Sequence, residues 1–345
     1  MKTKHLVIIY FAFVQLLTPS AFAQSTFAIC SKLDFSNISW SNSLKVEHRE
    51  PFALALNISG SFEGPEGWSN LASNFDGMGF SLGLLNQNLG MGTLQPLFIV
   101  MRNRHFSYMK KMFTPDKLAA VLNMLSVWEK TPPPPSFQTN EWLRDQGFSE
   151  LDEPALVAQE LNISENDLLM QTQESSPEVP PEVPAPMNRN QTSVEWAKTT
   201  VLDGKAVKVD WATELKTTSA SAPYRSIQVA EAEYLHAKAL ELFNLFRMSQ
   251  LRSYLFFFDI VVQNGGIPEA VVTKYFNWLK ANPKASGTAK LTKILEYRLP
   301  YVRKRFRADV RARKMSLIHG RGRVHGHDRN YSQEYCANTN AMMPR

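Results

Sequence analysis

Two carboxylates lie thirteen residues apart, at the ends of an apolar segment and a glycine-rich segment. Glu63 follows the apolar run, and Asp76 opens the sequence Asp-Gly-Met-Gly-Phe-Ser-Leu-Gly. Hydrolysis of a glycosidic bond needs one carboxylic acid that holds its proton and a second carboxylate that stays ionised. Two acids on different elements can face one groove, so this pair is a candidate for that chemistry.

The expected surroundings of the two acids differ in the way this chemistry requires. Glu63 lies between aromatic residues, where an apolar environment favours the protonated form. Asp76 lies in a turn whose backbone amides favour the carboxylate, and Ser81 could hold a water molecule beside it. Aspartate before glycine is also common in ordinary turns, and Glu66 is an alternative acid.

The elements that must position these residues are mostly helices. Apolar spacing predicts a buried helix over Glu50–Phe62 and one or two helices over Phe98–Lys130, with a short hairpin over Asn74–Leu89 between them. Long core helices are predicted over Ser226–Val262, with a stop at Asn264-Gly265-Gly266. The fold class is therefore mainly α with a small β element.

Further helices are predicted over Val271–Ala281 and Leu291–Lys314, and a glycine-punctuated loop follows over His319–Gly326. Asp259 lies in an aromatic-rich run, so it should be buried and paired with an arginine such as Arg307 or Arg311, with a substrate-binding role as the alternative. The histidines near the carboxyl end lack the paired spacing of a zinc site, so neither a metal nor a cofactor is expected.

The chain divides into four predicted parts. Residues 1–23 have two lysines, an apolar run and a small-residue cleavage site, typical of a secretory signal peptide. Residues 24–130 form an amino-terminal catalytic lobe, 131–222 an insertion, and 223–345 a helical lobe. The insertion could contain two short helices over Glu141–Leu169, followed by a Pro-rich linker over Gln171–Asn190. We expect a secreted or periplasmic protein with no membrane-spanning segment.

Charge and cysteine usage agree with that location. The 345 residues carry a net charge of +6, and eleven Arg or Lys residues against two acids lie between Arg298 and Arg329. Such a patch suits a solvated helix face or contact with cell-wall polymers better than nucleic acid. Cys30 and Cys336 are the two cysteines, and an oxidising compartment makes a disulfide between them the favoured interpretation over two separate buried thiols.

Several motifs resemble the active-site region of lysozyme-like glycoside hydrolases of the chitosanase type and related peptidoglycan hydrolases. They are Phe62-Glu63-Gly64, Trp68, Asn74-Phe75-Asp76-Gly77-x-Gly79-x-Ser81-x-Gly83 and Gly90-x-Gly92-Thr93-Leu94-Gln95-Pro96-Leu97. Stretches around Asp259, Arg307–Lys314 and Gly322–Gly326 resemble the second half of the same group. The resemblance covers about 51–96 and 224–326.

The resemblance implies a lysozyme-like, two-lobed α fold with a β-hairpin beside a substrate groove. It also implies roles for three residues: Glu63 as general acid, Asp76 as the base that activates water, and Ser81 as the residue that positions this water. The substrate contacts expected nearby are Glu66, Trp68, Asn86, Gln87 and Asn88. Related proteins tend to have Gln-Trp-Asn where this chain has Asn-Gln-Asn, so one stacking aromatic is absent.

The sequence therefore predicts a monomeric hydrolase of peptidoglycan glycan strands, either acetylated or deacetylated. A chitosanase that acts on glucosamine polymers and a non-catalytic wall-binding protein are the alternatives. Cationic glucosamine units would need acidic subsites, for which Glu66 is the nearest candidate. The glycines after Asn74 have neither the G-x-G-x-x-G nor the Walker spacing of a phosphate-binding loop.

Overall fold

The computed structural model describes residues 30–133 and 187–344. The predicted signal peptide, the predicted helices over Glu141–Leu169 and most of the predicted Pro-rich linker lie outside the described residues. Helices make up 63% of the structure and strands 8%, which confirms the mainly α class. In the described ranges, none of the helices combines the length and apolarity needed to cross a bilayer.

The amino-terminal range contains three helices and a small antiparallel sheet. The helices are α1 (Val46–Glu63), α2 (Gln95–Met112) and α3 (Pro115–Lys130). The strands β1 (Leu71–Ala72), β2 (Ser81–Leu82) and β3 (Gln87–Asn88) pair in the order β1-β2-β3. Ser81 pairs with Ala72 on one side and with Asn88 on the other. The sheet thus occupies the predicted hairpin region and has one more strand than a hairpin.

The second range is dominated by helices. They are α4 (Arg189–Trp196), α5 (Val209–Ala220), α6 (Ala222–Leu245), α7 (Leu251–Asn264), α8 (Glu269–Ala281), α9 (Gly287–Arg298), α10 (Arg307–His319) and α11 (Tyr331–Glu334). A π-helical turn, Ala197–Val201, leads into the hairpin of β4 (Leu202–Asp203) and β5 (Ala206–Val207). Helix α7 ends at Gly265, whose φ of 73° is left-handed, as expected for a glycine stop.

Two apolar clusters hold these elements together. The first contains α1 and α7 with parts of α8 to α11, and Phe52 and Phe258 are fully buried in it. The second contains the small sheet with α2, α3 and α5, and Trp128 is fully buried there. Helix α6 contributes to both clusters, with Tyr224 in the second and Phe243 in the first. Residues 187–222, which are the described part of the predicted insertion, therefore share a core with the amino-terminal helices.

The predicted disulfide is present and joins Cys30 to Cys336 across 306 residues of sequence. It fixes the first described residue beside α11. Closing such a long loop removes much conformational freedom from the unfolded chain.

The predicted loop over His319–Gly326 is wrong, because this region forms a β-hairpin. Strands β6 (Arg321–Val324) and β7 (His327–Asn330) pair antiparallel around a two-residue turn. The turn residues His325 and Gly326 have φ values of 50° and 82°. Positive φ at both positions gives a turn whose twist matches that of paired strands, and glycine adopts it without strain.

Candidate active site

Glu63 is the last residue of α1, and its position depends on the tight segment that follows. A side chain at Gly64 would lie 2.6 Å from Oδ1 of Asn70, and Pro65 comes next. Asn70 Oδ1 in turn accepts a hydrogen bond from the Glu66 amide at 2.7 Å. The chain therefore leaves the helix in a fixed direction, and the Glu63 side chain projects from its final turn with 20% of its surface exposed.

Two groups hold the Glu63 carboxylate. Arg313 Nη1 lies 2.8 Å from Oε1, and Asn86 Nδ2 donates to Oε2 at 3.2 Å and to the Glu63 carbonyl oxygen at 3.1 Å. Asn86 has a φ of 52°, a left-handed conformation that asparagine tolerates better than most residues. The expectation of purely apolar surroundings for Glu63 is therefore wrong. Arg313, which is 250 positions away in the sequence, lies beside it.

Arg313 belongs to a buried cluster of charges behind Glu63. Its Nε and Nη2 bind the carboxylate of Asp259 at 2.6 to 3.0 Å, and Lys314 Nζ binds the same carboxylate. Asp259 and Lys314 are fully buried, and Arg313 is 3% exposed. Together with Glu63, the cluster contains two negative and two positive groups, so it is balanced when all four are ionised.

Burial and the mutual charges of this cluster shift the pKa values of its members. Burial alone raises the pKa of Asp259, but the charges of Arg313 and Lys314 outweigh burial and hold this pKa at about 2. Burial lowers the pKa of Lys314 to about 8, although Asp259 opposes that shift. The Asp259 carboxylate is thus ionised over the physiological range, and it fixes the guanidinium that reaches Glu63.

The predicted burial of Asp259 and its pairing with an arginine are confirmed, but the arginine is Arg313 and not Arg307 or Arg311. Arg307 donates to the backbone carbonyls of Val302 and Pro300, and Arg311 is exposed. The helical period explains this difference, because the apolar positions of α10 place residues 310, 313, 314 and 317 on its buried face.

Asp76 and Ser81 lie in the segment that leads into β2. Asp76 is exposed, and its Oδ1 accepts a hydrogen bond from the Met78 amide at 3.0 Å, an arrangement typical of an aspartate turn. Asn74 anchors the same turn by accepting from the Gly79 amide at 3.0 Å. Ser81 is 9% exposed, and within the described ranges its hydroxyl has no hydrogen-bond partner. None of the contacts described above joins this segment directly to Glu63.

Most of the residues predicted to contact substrate interact with other residues of the chain. Glu66 forms an ion pair with Lys216 at 2.7 Å, so its charge is already neutralised. Trp68 is 7% exposed and packs edge-on against Phe35, where it lines a pocket of about 620 Å³ beside the end of α1. Trp68 therefore exposes little surface for a contact with substrate. Asn88 accepts from the Met91 amide through Oδ1 and so stabilises the turn after β3.

Gln87 contacts a carboxyl group, that of Glu231, which the sequence analysis did not identify. Its Nε2 donates to Oε2 of Glu231 at 3.0 Å, and Gln87 itself is 4% exposed. Glu231 lies on α6, four residues after the buried Ile227, and it is only partly exposed. A carboxyl at a core-facing helical position was the signal available in the sequence.

A basic surface flanks α10 and the β6–β7 hairpin. It consists of Arg303, Lys304, Arg305, Arg307, Arg311, Arg321 and Arg323, all exposed. Two aromatic side chains lie among them, with Tyr301 51% and Phe306 46% exposed. Across the part of the chain that the structure describes, no ion pair joins this surface to an acid, and the nearby Asp309 pairs with His325 at 2.8 Å.

No protein-family model, no curated protein and no solved structure matches this chain. The residues of the site offer a partly exposed carboxylate, Glu63, fixed by an arginine and an amide. A second, solvent-facing carboxylate, Asp76, and the hydroxyl of Ser81 lie in a separate segment at the start of β2.

Proposed function

We propose that this chain is a secreted or periplasmic glycoside hydrolase that cuts peptidoglycan glycan strands or a closely related amino-sugar polymer. The observation that carries the proposal is the placement of Glu63. It ends a core helix, is held on both carboxylate oxygens, and still keeps a fifth of its side-chain surface open. The proposal includes a lysozyme-like fold with two lobes.

In the proposed reaction, Glu63 protonates the leaving oxygen while Asp76 takes a proton from a water molecule positioned by Ser81. This division of labour is that of an inverting glycosidase, in which water attacks from the face opposite the leaving group. The exposure of Asp76 and the unpartnered Ser81 hydroxyl support the water-side roles. No bound cofactor enters these steps.

Arg313 has a positioning role in this scheme. Two of its nitrogens remain on Asp259 while the third reaches Glu63. A saccharide oxygen that takes the place of Arg313 Nη1 at Glu63 would free the carboxyl to hold a proton, and Asp259 would keep the guanidinium from following. Binding of the polymer and protonation of Glu63 are thus coupled.

The basic surface suits a polymer partner that carries carboxylates, as the stem peptides of a bacterial wall do. Its cations lack acidic partners among the described residues, so they can bind external anions without first breaking ion pairs. Such binding weakens as salt screens the charges. Tyr301 and Phe306 add apolar contact area at the same place.

A wall-binding protein without turnover is the second candidate. The ion pair of Glu63 with Arg313 favours it, because a carboxylate held in this way is not free to donate a proton. Trp68, an expected substrate contact, is also only 7% exposed. Both candidate functions involve binding of the same polymer, and they differ in whether a glycosidic bond is cleaved.

The deciding experiment incubates the purified chain with acetylated and deacetylated peptidoglycan and with chitosan, and measures new reducing ends. Glu63→Gln should reduce their release about a hundredfold or more, the usual effect of losing a general acid. Asp76→Asn should reduce it strongly as well, and Ser81→Ala to a smaller degree. Glu241→Gln, at an exposed glutamate on α6, is the matched control, and Glu66→Gln tests the alternative acid.

Each alternative has its own outcome. Polymer binding without release by wild type assigns the chain to the wall-binding class. Release of anhydro ends, with Asp76→Asn still active, assigns it to the lytic transglycosylases. Release from chitosan but not from peptidoglycan assigns it to the chitosanases.

A further inference from the structure

Two consecutive residues at the start of β3 hold two different carboxyl groups. Asn86 Nδ2 donates to Glu63 at 3.2 Å, and Gln87 Nε2 donates to Glu231 at 3.0 Å. Asn86 has positive φ, which directs these neighbouring side chains to separate partners. The backbone between them therefore connects the last residue of α1 to the middle of α6.

The two carboxyl groups have unlike surroundings. Glu63 faces the guanidinium of Arg313, whereas no Lys, Arg or His side chain within 30–133 or 187–344 forms an ion pair with Glu231. The polar neighbours of Glu231 are the Gln87 amide from β3 and, on its own helix, the Tyr224 hydroxyl, which is buried without a hydrogen-bond partner. A largely enclosed carboxyl with no counter-charge among the described residues is costly to ionise, and glutamine in its place would keep the hydrogen-bond acceptor without that cost.

We propose that Glu231 is a positioning residue of the candidate site: through Gln87 it fixes the turn from which Asn86 holds the Glu63 carboxylate. The surrounding geometry leaves little freedom for this turn. A side chain at Gly83 would lie 2.4 Å from Oε1 of Gln228, which accepts from the Leu84 amide at 2.7 Å. Helix α6 thus holds the turn at two points, Gln228 at its beginning and Glu231 at its end.

A change in the protonation of Glu231 is then transmitted to Glu63 through Gln87 and Asn86. Burial raises the pKa of Glu231 to about 7, and the Gln87 hydrogen bond opposes that shift. Ionisation strengthens the hydrogen bond that Gln87 donates and draws its side chain toward Glu231, which displaces the neighbouring Asn86 from Glu63. Activity should consequently fall as the pH rises through about 7.

The kinetic test rests on the proposed function and compares Glu231→Gln, Glu231→Ala and the control Glu241→Gln, an exposed glutamate on the same helix. Glutamine can still accept from Gln87, so Glu231→Gln should keep kcat at pH about 6 and lose the inflection near pH 7. Alanine should lower kcat about tenfold or more with little change in KM, because Glu63 loses its fixed position. An unchanged kcat in Glu231→Ala, or an inflection that survives in Glu231→Gln, overturns the proposal.

A second test does not need turnover. The side-chain amide resonances of Asn86 and Gln87 are followed by nuclear magnetic resonance as the pH is raised. In wild type and Glu241→Gln, both amides should shift together with a midpoint near pH 7, and in Glu231→Gln both should be flat. If only Gln87 shifts, or neither does, Glu231 does not act on Asn86 and the inference fails, whatever the enzyme assay shows.

Discussion

Replacement of Glu231 by glutamine should change the pH dependence of folding stability. The folded chain holds the pKa of Glu231 at about 7, against a value of 4.5 for an ordinary glutamate. Between these two pH values the folded state binds more protons than the unfolded state, so the free energy of unfolding falls as the pH rises. The loss begins near pH 4.5 and is complete above pH 7, because the raised pKa belongs to an acid that is neutral in the fold.

The size of the effect follows from the shift. A difference of about 2.5 pKa units at about 1.4 kcal/mol per unit gives about 3.5 kcal/mol as an upper limit. Since Glu231 keeps some contact with solvent, we expect about 1 to 3 kcal/mol. Glutamine has the same shape and no charge to bury, so Glu231→Gln should match wild type near pH 4 and be more stable near pH 8.

Urea unfolding followed by tryptophan fluorescence, at several pH values between about 4 and 8, measures this difference directly. Glu241→Gln should run parallel to wild type throughout. A constant difference between wild type and Glu231→Gln across this range would contradict a raised pKa of Glu231 in the folded chain, as would a variant that is less stable than wild type near pH 8.

Three other perturbations have defined outcomes. Asp259→Asn should lower the free energy of unfolding by about 3 to 5 kcal/mol in urea titrations, because Arg313 and Lys314 lose a buried counter-charge; the half-exposed Asp309→Asn should cost about 1 kcal/mol or less. Reduction of the Cys30–Cys336 disulfide, or its replacement by two serines, should cost about 2 to 5 kcal/mol, and added reductant should leave the serine variant unaffected. Arg303→Glu combined with Arg305→Glu should weaken cosedimentation with peptidoglycan at low salt and have little effect at high salt. The control Lys280→Glu, on the exposed surface of α8, should bind as wild type does at both salt concentrations.

The sequence predicted the parts of the fold that depend on local periodicity. The apolar run before Glu63 indicated α1, and the glycines after Asn264 indicated the end of α7. Both features are encoded within a few residues. The same local information placed Asp76 in a turn, where the structure also has it.

The contacts that define the candidate site are long-range, and local patterns do not contain them. Arg313 meets Glu63 because α10 and α1 share a core, and Glu231 meets Gln87 because α6 passes behind the small sheet. The β6–β7 hairpin was missed for a different reason. His325-Gly326 supplies the two positive φ values of a tight turn, but the flanking strands are rich in arginine and lack apolar alternation.

We propose that Glu63 drives hydrolysis of an amino-sugar polymer. The most direct measurement is digestion of peptidoglycan in heavy-oxygen water by wild type and Glu63→Gln, with mass spectrometry of the fragment ends. We expect one heavy oxygen atom in each new reducing end from wild type and none above background from the variant. Unlabelled or anhydro ends from wild type, or equal labelling by Glu63→Gln, would contradict the claim.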